Sequence, residues 1–134
     1  MSNVFQPGTF LRRVLLADAS VSAAVGVVMS VGAGPLQRLT GLPVSLLTIA
    51  GLSLLPYAAY LLWAATRRSL LRAAVWVPIA LNLLWAADCI VVGFVAGPDI
   101  TALGRVFLAV QVVTVLVVAE LEWTGLRRTP MRTA

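Results

Sequence analysis

The sequence predicts an all-α fold, a four-helix transmembrane bundle with both termini cytoplasmic. Three observations carry that reading. Four apolar runs, each long enough to cross a bilayer, are separated by short stretches rich in Gly, Pro and Arg. The composition is 60% hydrophobic and only 11% charged, against about 45–50% and about 25% in soluble domains. All ten basic residues are Arg, and they flank the apolar runs unevenly. Arg12, Arg13, Arg67, Arg68, Arg72, Arg127, Arg128 and Arg132 fall on one side of the expected layer, Arg38 and Arg105 on the other. Eight against two puts the first side in the cytoplasm. The length, 134 residues, allows one integral membrane domain. The expected location is a bacterial inner membrane, with the chain multi-pass, N-in and C-in.

Met1 to Thr9 reads as a short polar tail, with Thr9 a candidate helix cap. The first helix is expected over about 10–33, with Gly34-Pro35 as its stop. An export signal is an alternative here, because Arg12-Arg13 precede an apolar run and Gly32-Ala33-Gly34 resembles a cleavage site. Asp18 inside the run and three further spans argue against it. The connector 35–41 is short enough for a single interfacial turn. The second helix is expected over about 43–65, with Pro43 in its first turn and Pro56 inside it. A basic turn, 66–72, leads to the third helix, about 73–96, ended by Gly97-Pro98-Asp99. Asp99 or Thr101 can cap the fourth, about 102–123, which Gly125 and the following arginines close. The pattern P-x-A-x-x-L-L-W-A-A occurs at 56–65 and again at 78–87. In a Leu- and Ala-rich chain, chance accounts for it better than an inverted repeat.

Asp18, Ser22, Gly26, Ser30 and Gly34 recur every four residues and form one drifting helix stripe. Ser22, Gly26, Ser30 and Gly34 are the expected packing residues, since small side chains let helix backbones approach in lipid. Asp18 at the head of the stripe either pairs with a neighbouring Arg or binds a proton or cation. Asp88 lies deep in the third helix, and Arg105, about one turn into the fourth, is its expected ion-pair partner. Left unpaired, Asp88 becomes a proton-carrier candidate. Asn82, Trp85 and Cys89 share a helix face, and Gln111 sits mid-span. These polar groups either hydrogen-bond between helices or, with Tyr57 and Tyr60, line a small polar cavity. Glu120 and Glu122, amid arginines, are expected in a boundary salt-bridge layer.

Several chemistries are excluded. The chain has no His, which removes His-ligated metal and haem and a His base. Its one Cys, Cys89, cannot form an internal disulfide. There is no phosphate-binding Gly loop, nucleophile elbow or metal-ligand cluster, so no catalytic residue, cofactor or metal is expected. The net charge of +5 comes from arginines at span ends, which suits anionic lipid headgroups rather than nucleic acid.

Leu11-Arg12-Arg13-Val14-Leu15-Leu16-Ala17-Asp18, Gly41-Leu42-Pro43 and Ala119-Glu120-Leu121-Glu122-Trp123 followed by Gly125-Leu126-Arg127-Arg128 resemble small four-helix inner-membrane proteins of GC-rich bacteria. That resemblance implies the architecture and no activity. The size and four-helix layout are also similar to small multidrug resistance transporters, dimers that use a Glu in the first helix. Asp18 matches that acid by location only, and the family's other motifs are missing.

Two functional readings follow. One is a non-enzymatic membrane protein acting through helix–helix association, as a homo-oligomer or an accessory subunit of a membrane complex. The alternative is a proton-coupled small-solute transporter or channel working as an oligomer, with Asp18 or Asp88 carrying the proton and Asn82, Trp85, Tyr60 and Gln111 lining the site. The expected partners are the lipid bilayer and a second copy or another membrane protein.

Overall fold

A computed structural model describes residues 4–95 and 97–128. Five helices carry the fold: α1 (Thr9–Val31), α2 (Ala33–Thr40), α3 (Val44–Thr66), α4 (Arg72–Val95) and α5 (Ala102–Arg128). Two dipeptides, β1 (Val4–Phe5) and β2 (Leu70–Leu71), pair antiparallel, and Gly97–Asp99 forms a single 3-10 turn. Arg132 and Ala96, the expected end of the third span, lie outside the described residues.

Helices α1, α3, α4 and α5 are each long and apolar enough to span a membrane. Their 23 to 27 residues extend about 35–40 Å at about 1.5 Å per residue. Val28, Ile49, Leu83, Val91 and Val113 stand on their outer faces, exposed. In water such a surface would be unstable, and against acyl chains it costs nothing.

The helices pack as two pairs, α1 with α3 and α4 with α5. Contact between α1 and α5 joins the pairs, whereas α3 and α4 scarcely meet. The stripe on α1 explains the closeness of the first pair. A Cβ on Gly26 would lie 2.8 Å from the Gly51 carbonyl oxygen, and one on Gly51 would lie 2.7 Å from the Ser30 backbone nitrogen. Two backbones therefore touch where both side chains are hydrogen.

Some helix ends differ from the sequence expectation. Gly8, not Thr9, is the N-cap of α1, and Gly32 ends it. Gly34 and Pro35 do not stop a helix but start one, since a proline in the first turn forfeits no intrahelical bond. Gly34 also leaves the stripe: it is exposed, and a Cβ on it would meet nothing within 4 Å. Gly34→Ala is accordingly expected to be neutral or to stabilise by up to about 1 kcal/mol through helix propensity alone. Thermal unfolding in detergent checks this, and a clear loss would place Gly34 in a contact. At the other end, α5 does not stop at Gly125 but runs through it to Arg128. Gly125 is buried against Phe10 and Leu11 of α1, and a Cβ there would lie 3.1–3.2 Å from their side chains.

The end of the bundle bearing Arg38 and Arg105 is tied by backbone contacts. Gly41 ends α2 in the left-handed region, φ 77°, with its N–H on the Gln37 carbonyl at 2.8 Å. Thr101 N–H donates to the Thr40 carbonyl at 3.0 Å, and the Thr101 hydroxyl donates to the Leu39 carbonyl at 2.6 Å. The same hydroxyl accepts the Gly104 N–H at 3.0 Å and so caps α5. The opposite, Arg-rich end closes on Phe5, Leu11, Leu15, Leu61, Val75 and Leu126. Phe5 is fully buried there because the β1–β2 ladder folds the N-terminal segment under the bundle.

Candidate functional site

The arginines at that end do not form a salt-bridge layer. Arg12 donates to the Pro7, Ala65 and Arg67 carbonyl oxygens at 3.3, 2.6 and 2.6 Å. It thus satisfies the last carbonyls of α3, where a cation suits the helix dipole. Arg72 donates to the Leu126 carbonyl at 3.5 Å. Arg67, Arg127 and Arg128 lie over the rings of Trp63, Trp123 and Phe10. No ion pair forms among the described residues.

Instead, the buried acids find neutral partners. Asp18 on α1, Tyr57 on α3, Asn82 on α4 and Glu122 on α5 lie about 9–15 Å from the Arg-rich helix ends, at about 1.5 Å per residue. The Tyr57 hydroxyl donates to Asp18 Oδ2 at 2.8 Å, and the Ser22 hydroxyl donates to Asp18 Oδ1 at 3.1 Å. The Asn82 amide donates to Glu122 Oε1 at 2.9 Å and more weakly to Asp18 Oδ2 at 3.4 Å. One amide therefore bridges two carboxyl groups from different helix pairs. Asp18 and Asn82 are each 4% exposed, and Glu122 is fully enclosed. Glu122 Oε2 has no hydrogen-bond partner among the described residues. Burying such groups without partners is costly, so the network holds the four helices in one register.

Above this layer lies a cavity of about 700 Å³ between the two pairs. Asp18, Tyr57 and Asn82 form its polar floor, and Glu122 stands behind them, outside the lining. The walls are mostly apolar, with Leu54, Trp85, Phe107 and Val110 among them. Halfway up, the Trp85 indole N–H donates to Gln111 Oε1 at 2.8 Å. Asp88 is exposed on the wall and makes no hydrogen bond or ion pair among the described residues.

The expected Asp88–Arg105 pair is not made. Arg105 turns outward, its nearest acceptor the Gly97 carbonyl at 3.5 Å. Asp18 does not snorkel toward an arginine; it points inward. Tyr60 lies outside the cavity, because its hydroxyl donates to the Ala74 carbonyl at 2.6 Å and its ring leans on Trp63. Ser22 and Gly26 do face the bundle interior, and Ser30 donates back to the Gly26 carbonyl at 2.7 Å. Glu122 is the residue whose place differs most from the boundary position expected for it. A signal for it exists in the sequence. Asp18, Asn82 and Glu122 stand six, ten and five residues inside Arg12, Arg72 and Arg127, which puts three polar groups at comparable depth.

Four apolar spans and an enclosed polar layer define a polytopic membrane protein. No protein family, curated protein or solved structure matches the chain.

Proposed function

We propose that the chain is a non-enzymatic protein of the bacterial inner membrane that binds a small amphipathic solute in its central cavity and moves it in exchange for protons. The observation behind this reading is the cavity, whose apolar walls carry one exposed carboxyl group, Asp88, above a floor of Asp18, Tyr57 and Asn82. An apolar wall accepts a hydrophobic body, and a carboxylate with aromatic neighbours favours a cationic end. The Arg bias supports both termini in the cytoplasm. The association reading rested on the α1 stripe. Gly26 spends that stripe on α3 within the same chain, so the stripe gives assembly no support.

The test uses proteoliposomes and benzyltrimethylammonium, a permanently charged aromatic cation. Uptake driven by a pH gradient is expected, with a drop of about tenfold in Asp88→Asn, the equivalent of ~1.4 kcal/mol. Uptake equal to that of empty liposomes would remove the reading.

A further inference from the structure

We propose that Asp18 and Glu122 bind one proton between them, seated on Glu122 and bridged by Asn82. Two carboxyl groups share one amide nitrogen, none of the three side chains more than 4% exposed, and a second anion there would be uncompensated. None of the neighbouring charged and titratable groups brings a positive charge to the pair. On α1, Arg12 is held by three backbone carbonyls. On α3, Tyr57 donates to Asp18, and Tyr60 donates to the Ala74 carbonyl. On α4, Arg72 faces the Leu126 carbonyl and the Phe5 ring, and on α5 Glu120 points out of the bundle. No cation among the described residues reaches the pair.

The donor pattern decides where the proton sits. Asp18 accepts from Ser22, Tyr57 and Asn82, as a carboxylate does. Glu122 accepts from Asn82 alone and leaves Oε2 without a donor in a fully buried side chain. A proton on Glu122 turns that orphaned acceptor into an O–H donor. The pair then carries one negative charge, on the side facing the cavity. When the Glu122 O–H bond breaks, its electron pair stays on the carboxylate, the proton passes to solvent water, and the pair carries two negative charges. A cation against Asp18 offsets the second. This exchange rests on the cavity reading above, whereas the proton seat rests on the pair alone.

The full chain has only five acidic residues, two of them Glu, so infrared spectroscopy can resolve the seat without mutation. In lipid nanodiscs at neutral pH, one protonated-carboxyl C=O band per chain is expected. Carbon-13 labelling of Glu side-chain carboxyls should shift it, and labelling of Asp should not. The band should be lost in Glu122→Gln and kept in Glu120→Gln. Absence of any such band in the wild type overturns the proposal. So does a band that moves with Asp labelling, or carboxylate bands that shift with sodium instead of pH, which would put a metal cation in the proton's place. Benzyltrimethylammonium uptake on the same preparations separates the two readings. A Glu band without uptake keeps the proton seat and removes the solute. Uptake without the band does the reverse.

Discussion

Asn82→Leu is expected to cost about 3–5 kcal/mol of stability, and to do so without removing much volume. Asn82 is 4% exposed and supplies the one hydrogen bond that Glu122 receives, 2.9 Å long. Leucine leaves Glu122 enclosed with neither oxygen partnered and withdraws a donor from Asp18. The cost of an abandoned buried partner exceeds the net worth of the bond that held it. The comparison with the double variant Asn82→Leu/Glu122→Leu isolates the cause. Removing both partners leaves no orphan, so the double variant should recover much of the loss. Equilibrium unfolding in mixed micelles measures both. A single variant within about 0.5 kcal/mol of wild type, the scatter of an inert surface change, would show that the amide bridges nothing.

Gly51→Leu is the second large effect expected, of about 3 kcal/mol at least, with loss of the folded α1–α3 pair. The position of Cβ decides it. At Gly51 that atom would meet the Ser30 backbone nitrogen at 2.7 Å, the Gly26 carbonyl oxygen at 2.8 Å and Met29 Cβ at 2.9 Å. Two of the three are backbone, which cannot rotate aside as a side-chain tip can, so the helices must separate. Overpacking ordinarily costs about 1–3 kcal/mol because neighbours repack, and here nothing can. Gly26→Leu should behave alike, since its Cβ would meet the Gly51 carbonyl oxygen. Detergent thermal melts and membrane yield report the effect. Wild-type melting of both variants would mean that the pair is looser than its backbone contact implies.

The four spans are legible in the sequence because apolar length is a local property, readable one window at a time. Close approach through Ser22, Gly26 and Ser30 is legible for a related reason, as a four-residue repeat stays on one helix face. What the repeat does not contain is its partner, Gly51, on another helix. Gly34 shares the spacing and not the role, because Gly32 ends α1 before it. The polar layer is harder to read. Asp18, Asn82 and Glu122 sit on three helices, and a nearby Arg makes an ion pair the local expectation for each acid. Carbonyl oxygens at helix ends compete for the same guanidinium groups and win at Arg12. The repeated P-x-A-x-x-L-L-W-A-A segments diverge in the same way. Trp63 is exposed near Arg67, whereas Trp85 lines the cavity and bonds Gln111. Similar letters acquire different environments once tertiary contacts are added.

The pairing of consecutive spans also bears on how the chain is made. Helices α1 and α3 form one hairpin and α4 and α5 another, divided at the turn 67–71. Each hairpin can zip through nearby contacts as it leaves the insertion machinery, before the other exists. The atoms of the polar layer are divided between them, with Asp18, Ser22 and Tyr57 on the first and Asn82 and Glu122 on the second. Glu122 finds the Asn82 amide within the second hairpin, but Asp18 gains it only when the hairpins dock. Apolar faces in lipid give little preference for one sliding position over another, so the Asn82 bridge acts as the latch that fixes where the late hairpin stops against the early one.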